Sequence, residues 1–258
     1  MPDRSFISKE EKTIPGYKVS KERMTVMLEG NRAGDFTLTP LLVYHAHSPC
    51  ALKNIPKASF PVIWTVNSKA WVTAVIFENW FFNNFIPVED KFCKVKGIPF
   101  KVLIILNNVP GHPQNIVDFD PNVTVVYLPP NTTSLQQPMD QGIIAIFKRY
   151  YMKRTLRQAI AVTDLDESIT LRDIWKRYYI YKAVQNIAAA WNDVQSTTMN
   201  GVWKKLCPQF VNYCKEFDNV TFNKTLVTMS KELEMDLEEE DISQIYLKKT
   251  SSPRRTRI

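Results

Sequence analysis

Apolar and polar positions follow two rhythms along this chain, with short strand-like runs before about residue 130 and helical periodicity after it. Met24–Leu28 and Phe36–Tyr44 are apolar-rich runs flanking the turn Gly30–Gly34, which predicts two strands of an antiparallel hairpin. Pro61–Val66 predicts a third short strand. Thr73 is a candidate N-cap for a helix running to about Phe85, where Phe77, Trp80, Phe81 and Phe85 recur at helical spacing and belong to the core. Val102–Leu106 and Val123–Tyr127 are unbroken apolar runs, as in strands covered on both faces, with a short helix expected between them over Pro113–Val117. A long helix is predicted from near Asp140 to about Ala161. Leu171–Val194, Val202–Glu216 and Phe222–Leu233 then suggest an all-helical region.

This order of elements predicts a mixed α/β sheet with helices on both faces. Three segments follow: a sheet-bearing domain over residues 1–160, a helical extension over 161–233, and an acidic then basic tail over 234–258 without fixed structure. Residues 1–23 read as an irregular arm. The tail is expected to be solvated, because residues 232–241 hold seven acidic side chains and Arg254–Arg257 closes the chain on three arginines. Ligands of open α/β sheets bind outside the carboxyl ends of the parallel strands. Asn107, just after Val102–Leu106, and Asp140, at a helix start, both fall in that zone.

Charge sharpens the picture. The net charge of +7 arises within residues 1–160, which carry 19 Lys/Arg against 12 Asp/Glu, whereas residues 161–258 carry 14 of each. A basic excess confined to the sheet-bearing part favours a polyanionic partner. Four cysteines without C-x-x-C pairing, and three histidines, give no zinc spacing and are read as free thiols of a reducing compartment. Neither a signal peptide nor a spanning helix is predicted, so an intracellular chain without a membrane partner is expected.

The most specific signal is the pair of segments Leu106-Asn107-Asn108-Val109-Pro110-Gly111-His112 and Gln137-Pro138-Met139-Asp140-Gln141-Gly142. With Leu128–Gln136, Lys53-Asn54, Ala70–Thr73, Phe147–Tyr151 and Gly201–Lys205, they resemble the DDE superfamily endonuclease domain of the pogo/Tigger transposases. Jerky proteins and centromere protein B are relatives of that domain, and the Tigger type is the nearest in pattern. The resemblance implies a ribonuclease H-like fold and, in active relatives, Mg²⁺ held by three carboxylates. Two such ions clamp the attacking and leaving oxygens of a phosphoryl transfer.

In that family the second catalytic Asp opens an Asp-Asn-Ala-Pro-Gly-His motif, and Asn107 stands there. The third is the Asp of Gln-Pro-x-Asp-x-Gly, matched by Asp140. The first belongs to an Asp-Glu-Thr motif on a strand upstream of the residues matching Met1–Arg4, so a sheet missing that strand is expected. Asn107 and Asp140 are thus what remains of the triad. The expectation is an inactive nuclease domain with no metal of its own, since an amide oxygen ligates weakly and brings no charge. His112 is read as a loop histidine. Glu29, Asp35, Glu78, Asp118 and Asp120, the other acids nearby in sequence, are read as surface turn or helix residues. Asp140 is equally compatible with an N-cap role.

Lys148, Arg149, Lys153, Arg154 and Arg157 follow Asp140 on the long helix, and Arg149, Lys153 and Arg157 share one face at i, i+4 and i+8. These five are the candidate DNA-phosphate contacts. Nuclear placement follows from the resemblance. The alternatives are a residual Mg²⁺-dependent endonuclease, a protein-interaction module associating through the helical region or an exposed sheet edge, or a fragment without a selected role.

Overall fold

In the computed structural model, residues 23–247 are described, apart from 114, 117, 118, 131, 167, 177, 212–218, 234 and 236. β1 (Met24–Met27) pairs antiparallel with β2 (Leu41–Tyr44), and β2 pairs parallel with β3 (Ile63–Val66). β4 (Val102–Leu106) and β5 (Val123–Tyr127) form a separate parallel pair. The single mixed sheet expected from the sequence is therefore divided among the described residues. β1 and β4 lie in different sheets, where one continuous sheet would have joined them through an intervening strand.

β2 is the centre of the first sheet. Its side chains alternate between faces, and both faces are covered. Leu42 and Tyr44 join a core formed with the helices Ile143–Leu165 and Ile180–Asn192, while Leu41 and Val43 join a second core under the aromatic helix.

That helix begins as predicted. The Thr73 hydroxyl oxygen accepts the Ile76 N–H at 3.4 Å and caps α1 (Ala74–Trp80). The chain then stays helical through a wider π turn over Phe81–Phe85 into α2 (Ile86–Lys96), rather than stopping near Phe85. Pro87, in the first turn of α2, has no N–H to donate backwards, so the ladder is interrupted there and the turn before it loosens. The widened turn keeps Phe77, Trp80, Phe81 and Phe85 on one buried face, against Ile104, Val123 and Val125 of the second sheet. Full burial of each such ring stabilises by about 1.5–3 kcal/mol. α2 stops at Gly97, whose φ of +67° suits a left-handed C-terminal residue.

The rest is helical. A one-turn α3 (Thr133–Gln136) and a 3₁₀ turn (Pro138–Gln141) lead into α4 (Ile143–Leu165). α5 (Leu171–Lys176), α6 (Ile180–Asn192), α7 (Ser196–Gly201), α8 (Asn219–Glu232) and α9 (Glu239–Leu247) follow. The division expected at residue 160 falls inside α4, and α6 packs its apolar face on β2, so the described sheet and helices share a core. Gly34 (φ +75°) makes one of the close approaches between them. A Cβ there would sit 2.3 Å from the Ser196 carbonyl oxygen, a position open only to glycine.

The acidic segment departs from its expected disorder. Residues 239–247 form α9, and Ile242 is fully buried with Leu233, Met235 and Leu237 against α4 and α8. The physical reason lies in placement. Glu239, Glu240 and Asp241 occupy the first helical turn, where negative charge complements the helix dipole, while interleaved Leu and Ile supply a buried stripe. Arg254–Arg257 lies outside the described residues.

Candidate nucleic-acid interface

The segment after β4 is a pinned turn. The Val109 N–H donates to the Asn107 carbonyl at 3.0 Å, and the His112 N–H donates to the Val109 carbonyl at 2.9 Å. The His112 ring, through Nδ1, lies 2.9 Å from the Asn107 carbonyl oxygen and meets Phe77 edge-on with centroids 4.8 Å apart. Burial lowers the His112 pKa, with the hydrogen bond to Asn107 opposing it, which favours the neutral ring in this turn. The Tyr127 hydroxyl closes the far side by donating to the Pro113 carbonyl at 2.6 Å. Gly111 is required by close approach, since a Cβ there would meet the Val72 carbonyl oxygen at 2.7 Å. The rigid turn thus serves to present Asn107.

Among the described residues the Asn107 Oδ1 is buried and has no hydrogen-bond partner, Asp140 included. An orphaned buried carbonyl of this kind costs about 1–3 kcal/mol. Asp140 comes from a different element, the 3₁₀ turn before α4. It is not the N-cap of α4, because Gly142, at φ +146°, occupies that position and no side chain caps the helix. The half-buried Lys148 ammonium has its pKa lowered by burial, and the charge of Asp140 opposes that shift. Lys148 therefore belongs to the surroundings of Asp140. Among the described residues no group of three or more His, Cys, Asp or Glu side chains is placed to hold a metal ion.

The five basic residues predicted as one interface separate into three environments. Lys148 sits with Asp140. The Arg149 Nε–H donates to the buried Asn223 Oδ1 of α8 at 3.2 Å, so this arginine is tied into helix packing. Lys153, Arg154 and Arg157 remain together on the open side of α4, and the cleft they line, of about 330 Å³, is completed by Tyr150, Asp193 and Gln195. Arg154 donates through Nε and Nη2 to the two carboxylate oxygens of Asp193, each at 2.8 Å. The Lys153 ammonium lies 4.9 Å above the Phe222 ring. Arg157 is exposed. Tyr151, by contrast, is committed to a buried polar cluster, with its hydroxyl 3.1 Å from that of Tyr178.

Asp193 and Gln195 carry no sequence signal that would link them to α4. They lie at the α6–α7 junction, and only the packing of α6 on α4 delivers them.

Of the other nearby acids, Glu78 is half-buried on α1 and two more are engaged locally. Asp35 pairs with Lys96 at 2.7 Å, and Asp120 accepts the Asn122 N–H at 2.8 Å. Asp118 lies outside the described residues. Glu29 departs from the surface role expected of it. Burial first, and then the neighbouring Glu89 carboxylate, push its pKa up to about 8, while burial pushes Glu89 up to about 7. Glu29 follows β1 and Glu89 lies in the first turn of α2, and the two carboxyls are near enough to act on each other.

Residues 21–203 match the DDE superfamily endonuclease family. The chain is 30% identical to human Tigger transposable element-derived protein 7 over 169 residues, covering 63% of this chain and 30% of that protein. It is 34% identical to the human Jerky protein homolog over 141 residues, 54% of this chain and 25% of that protein. Mouse Tigger transposable element-derived protein 4 is 28% identical over 170 residues, 66% of this chain and 31% of that protein. The matched segment spans between a quarter and a third of these relatives. No solved structure matches significantly. No helix among the described residues is long and apolar enough to cross a membrane. The turn around Asn107 and the segment through Asp140 both lie within the matched span, and the chain belongs to the DDE superfamily endonuclease family.

Proposed function

We propose that this chain is a transposase-derived DNA-binding domain of ribonuclease H-like ancestry that grips the phosphate backbone without cutting it, and that it works in the nucleus. The observation that carries binding is the grouping of Lys153, Arg154 and Arg157 on the open side of α4. Contacts of this type hold any duplex and read no sequence.

The absence of cleavage rests on the chemistry of the donor set. Asn107 offers an uncharged oxygen where the family motif has an aspartate. A segment upstream of Met1 supplying the first acid would still leave two carboxylates to balance two divalent ions. Lys148 beside Asp140 adds positive charge where a metal ion would need negative. Mg²⁺ fits this set poorly, and no step is assigned to it.

Fluorescence anisotropy with unrelated duplexes tests both halves. Affinity is expected to fall by about threefold or more as salt rises from about 50 to about 200 mM, equally for every sequence and equally in chelator. With Mg²⁺ or Mn²⁺ the duplexes should stay intact. No binding at low salt, or metal-dependent strand cleavage, would overturn the proposal.

Self-association is a second reading with an observation behind it. Leu103 and Val126 are 60% and 45% exposed on the outer face of the β4–β5 pair, although the run Val102–Leu106 reads as a strand covered on both sides. Sedimentation should then show dimers that Leu103→Lys with Val126→Lys abolishes; a monomer at all concentrations sinks this reading.

A further inference from the structure

The cleft beside α4 has more structure than a charged helix face. Three cations line it, Lys153, Arg154 and Arg157, with one carboxylate, Asp193, so its net charge is about +2 by that count. The carboxylate is already engaged by Arg154 in two parallel hydrogen bonds. A guanidinium carries five N–H donors, and this fork uses two of them, leaving three for a ligand. Lys153 is fixed over Phe222 rather than free in solvent. Arg157 has no ion pair among the described residues and repels Lys153, lowering its pKa after burial has done so first. Asp193 offsets this only in part, since its charge opposes the lowering of the Lys153 pKa while both its oxygens are held by Arg154. The remaining walls are hydrogen-bonding groups, Tyr150 and the Gln195 amide. At about 330 Å³ the cleft is at the small end of ligand sites, which run from roughly 300 to 1,000 Å³.

We infer that this cleft, between α4 and the α6–α7 junction, is a subsite for a single phosphate group, held by Lys153, Arg157 and the unengaged N–H groups of Arg154. The inference rests on the DNA-binding reading for the source of that phosphate, a backbone position of the duplex. It narrows that reading in two ways. Arg149 and Lys148 lie outside the site, and the site neutralises one phosphate although three cations line it.

The test uses the full chain and inorganic phosphate, with total ionic strength held constant by chloride. Saturable shifts are expected in the side-chain NMR signals of Arg154 and Arg157, but not of Arg149. The double variant Lys153→Gln with Arg157→Gln should weaken phosphate binding by at least about tenfold, a loss of the size of a strong charge-assisted contact. Both residues point to the open side, and an unchanged unfolding midpoint would confirm that the variant folds. On duplex DNA the same variant should reduce the slope of log affinity against log salt by about 0.9, the value for one phosphate, rather than about 1.8 for two. Absence of phosphate shifts, or a slope change near two phosphates, overturns the subsite. Unchanged DNA affinity in the double variant also overturns it while leaving the DNA-binding reading in place. Phosphate binding by a chain that does not bind duplex at all supports the subsite and removes DNA as its source.

Discussion

Replacing Trp191 by alanine is expected to lower the unfolding free energy by about 3–5 kcal/mol, read from urea denaturation. Trp191 is 2% exposed, stands edge-on to Phe147 of α4 at 6.4 Å, and sits in the core shared by α6 and β2. Its indole N–H donates to the Leu38 carbonyl at 2.9 Å, a buried bond between residues 153 apart in sequence. Alanine removes the largest side chain of this core and leaves that carbonyl unpaired. Phenylalanine keeps most of the volume and loses only the bond, so it should cost about 1–3 kcal/mol. The result bears on domain organisation as well as stability. If the helical region were an independent unit, the variant would split unfolding into two transitions, with the strands unaffected. One transition moving as a whole is the outcome expected from a shared core, and a loss below about 1 kcal/mol would contradict the packing described.

Stability should fall as pH rises from 7 to 9, and Glu29→Gln should flatten that fall. Glu29 has its pKa raised to about 8 by burial and then by Glu89, and Glu89 has its own raised to about 7 by burial. A carboxyl whose folded pKa lies above its unfolded value binds its proton more tightly when folded. That contribution is fully present below the ordinary glutamate pKa and is lost as pH rises through the folded value. His112 acts in the opposite sense on the acid side. Its lowered pKa means that stability is lost as pH falls through the ordinary histidine range. The window from pH 7 to 9 is therefore governed mainly by the Glu29–Glu89 pair. The buried Cys93 thiol, whose pKa burial pushes up, adds a loss of the same sign toward the upper end of that window, which Glu29→Gln leaves in place. After discounting for partial solvent exposure, the loss across it should be on the order of 1 kcal/mol. At pH 9 Glu29→Gln should be more stable than the parent, and Glu89→Gln should leave Glu29 titrating nearer its ordinary value. A profile that is flat or rises over this window would show that the two carboxyls do not meet in low-dielectric surroundings.

The contrast between what was legible in the residues and what was not follows the range of the interactions involved. Thr73 as a cap, the aromatic stripe from Phe77 to Phe85, the strands Val102–Leu106 and Val123–Tyr127, and the long helix after Asp140 all depend on spacing within a few residues. Periodicity and capping chemistry report such spacing directly. The two motifs around Asn107 and Asp140 were equally legible, because each is a contiguous run, and the first closes on itself through Val109, His112 and the Asn107 carbonyl within five residues. Other features were invisible for one shared reason. The pairing of Arg154 with Asp193, the capture of Arg149 by Asn223, the meeting of Glu29 with Glu89 and the burial of Ile242 all join elements distant in the chain. Five basic residues on one helix looked equivalent in sequence, since each is a cation at helical spacing. Their division into a packed arginine, a lysine beside an aspartate and a three-cation cleft was decided by which helix lies against α4. That choice is set by the fit of buried side chains across the whole core, because burial and partner distance fix what a charge experiences, and neither is a local property of the sequence.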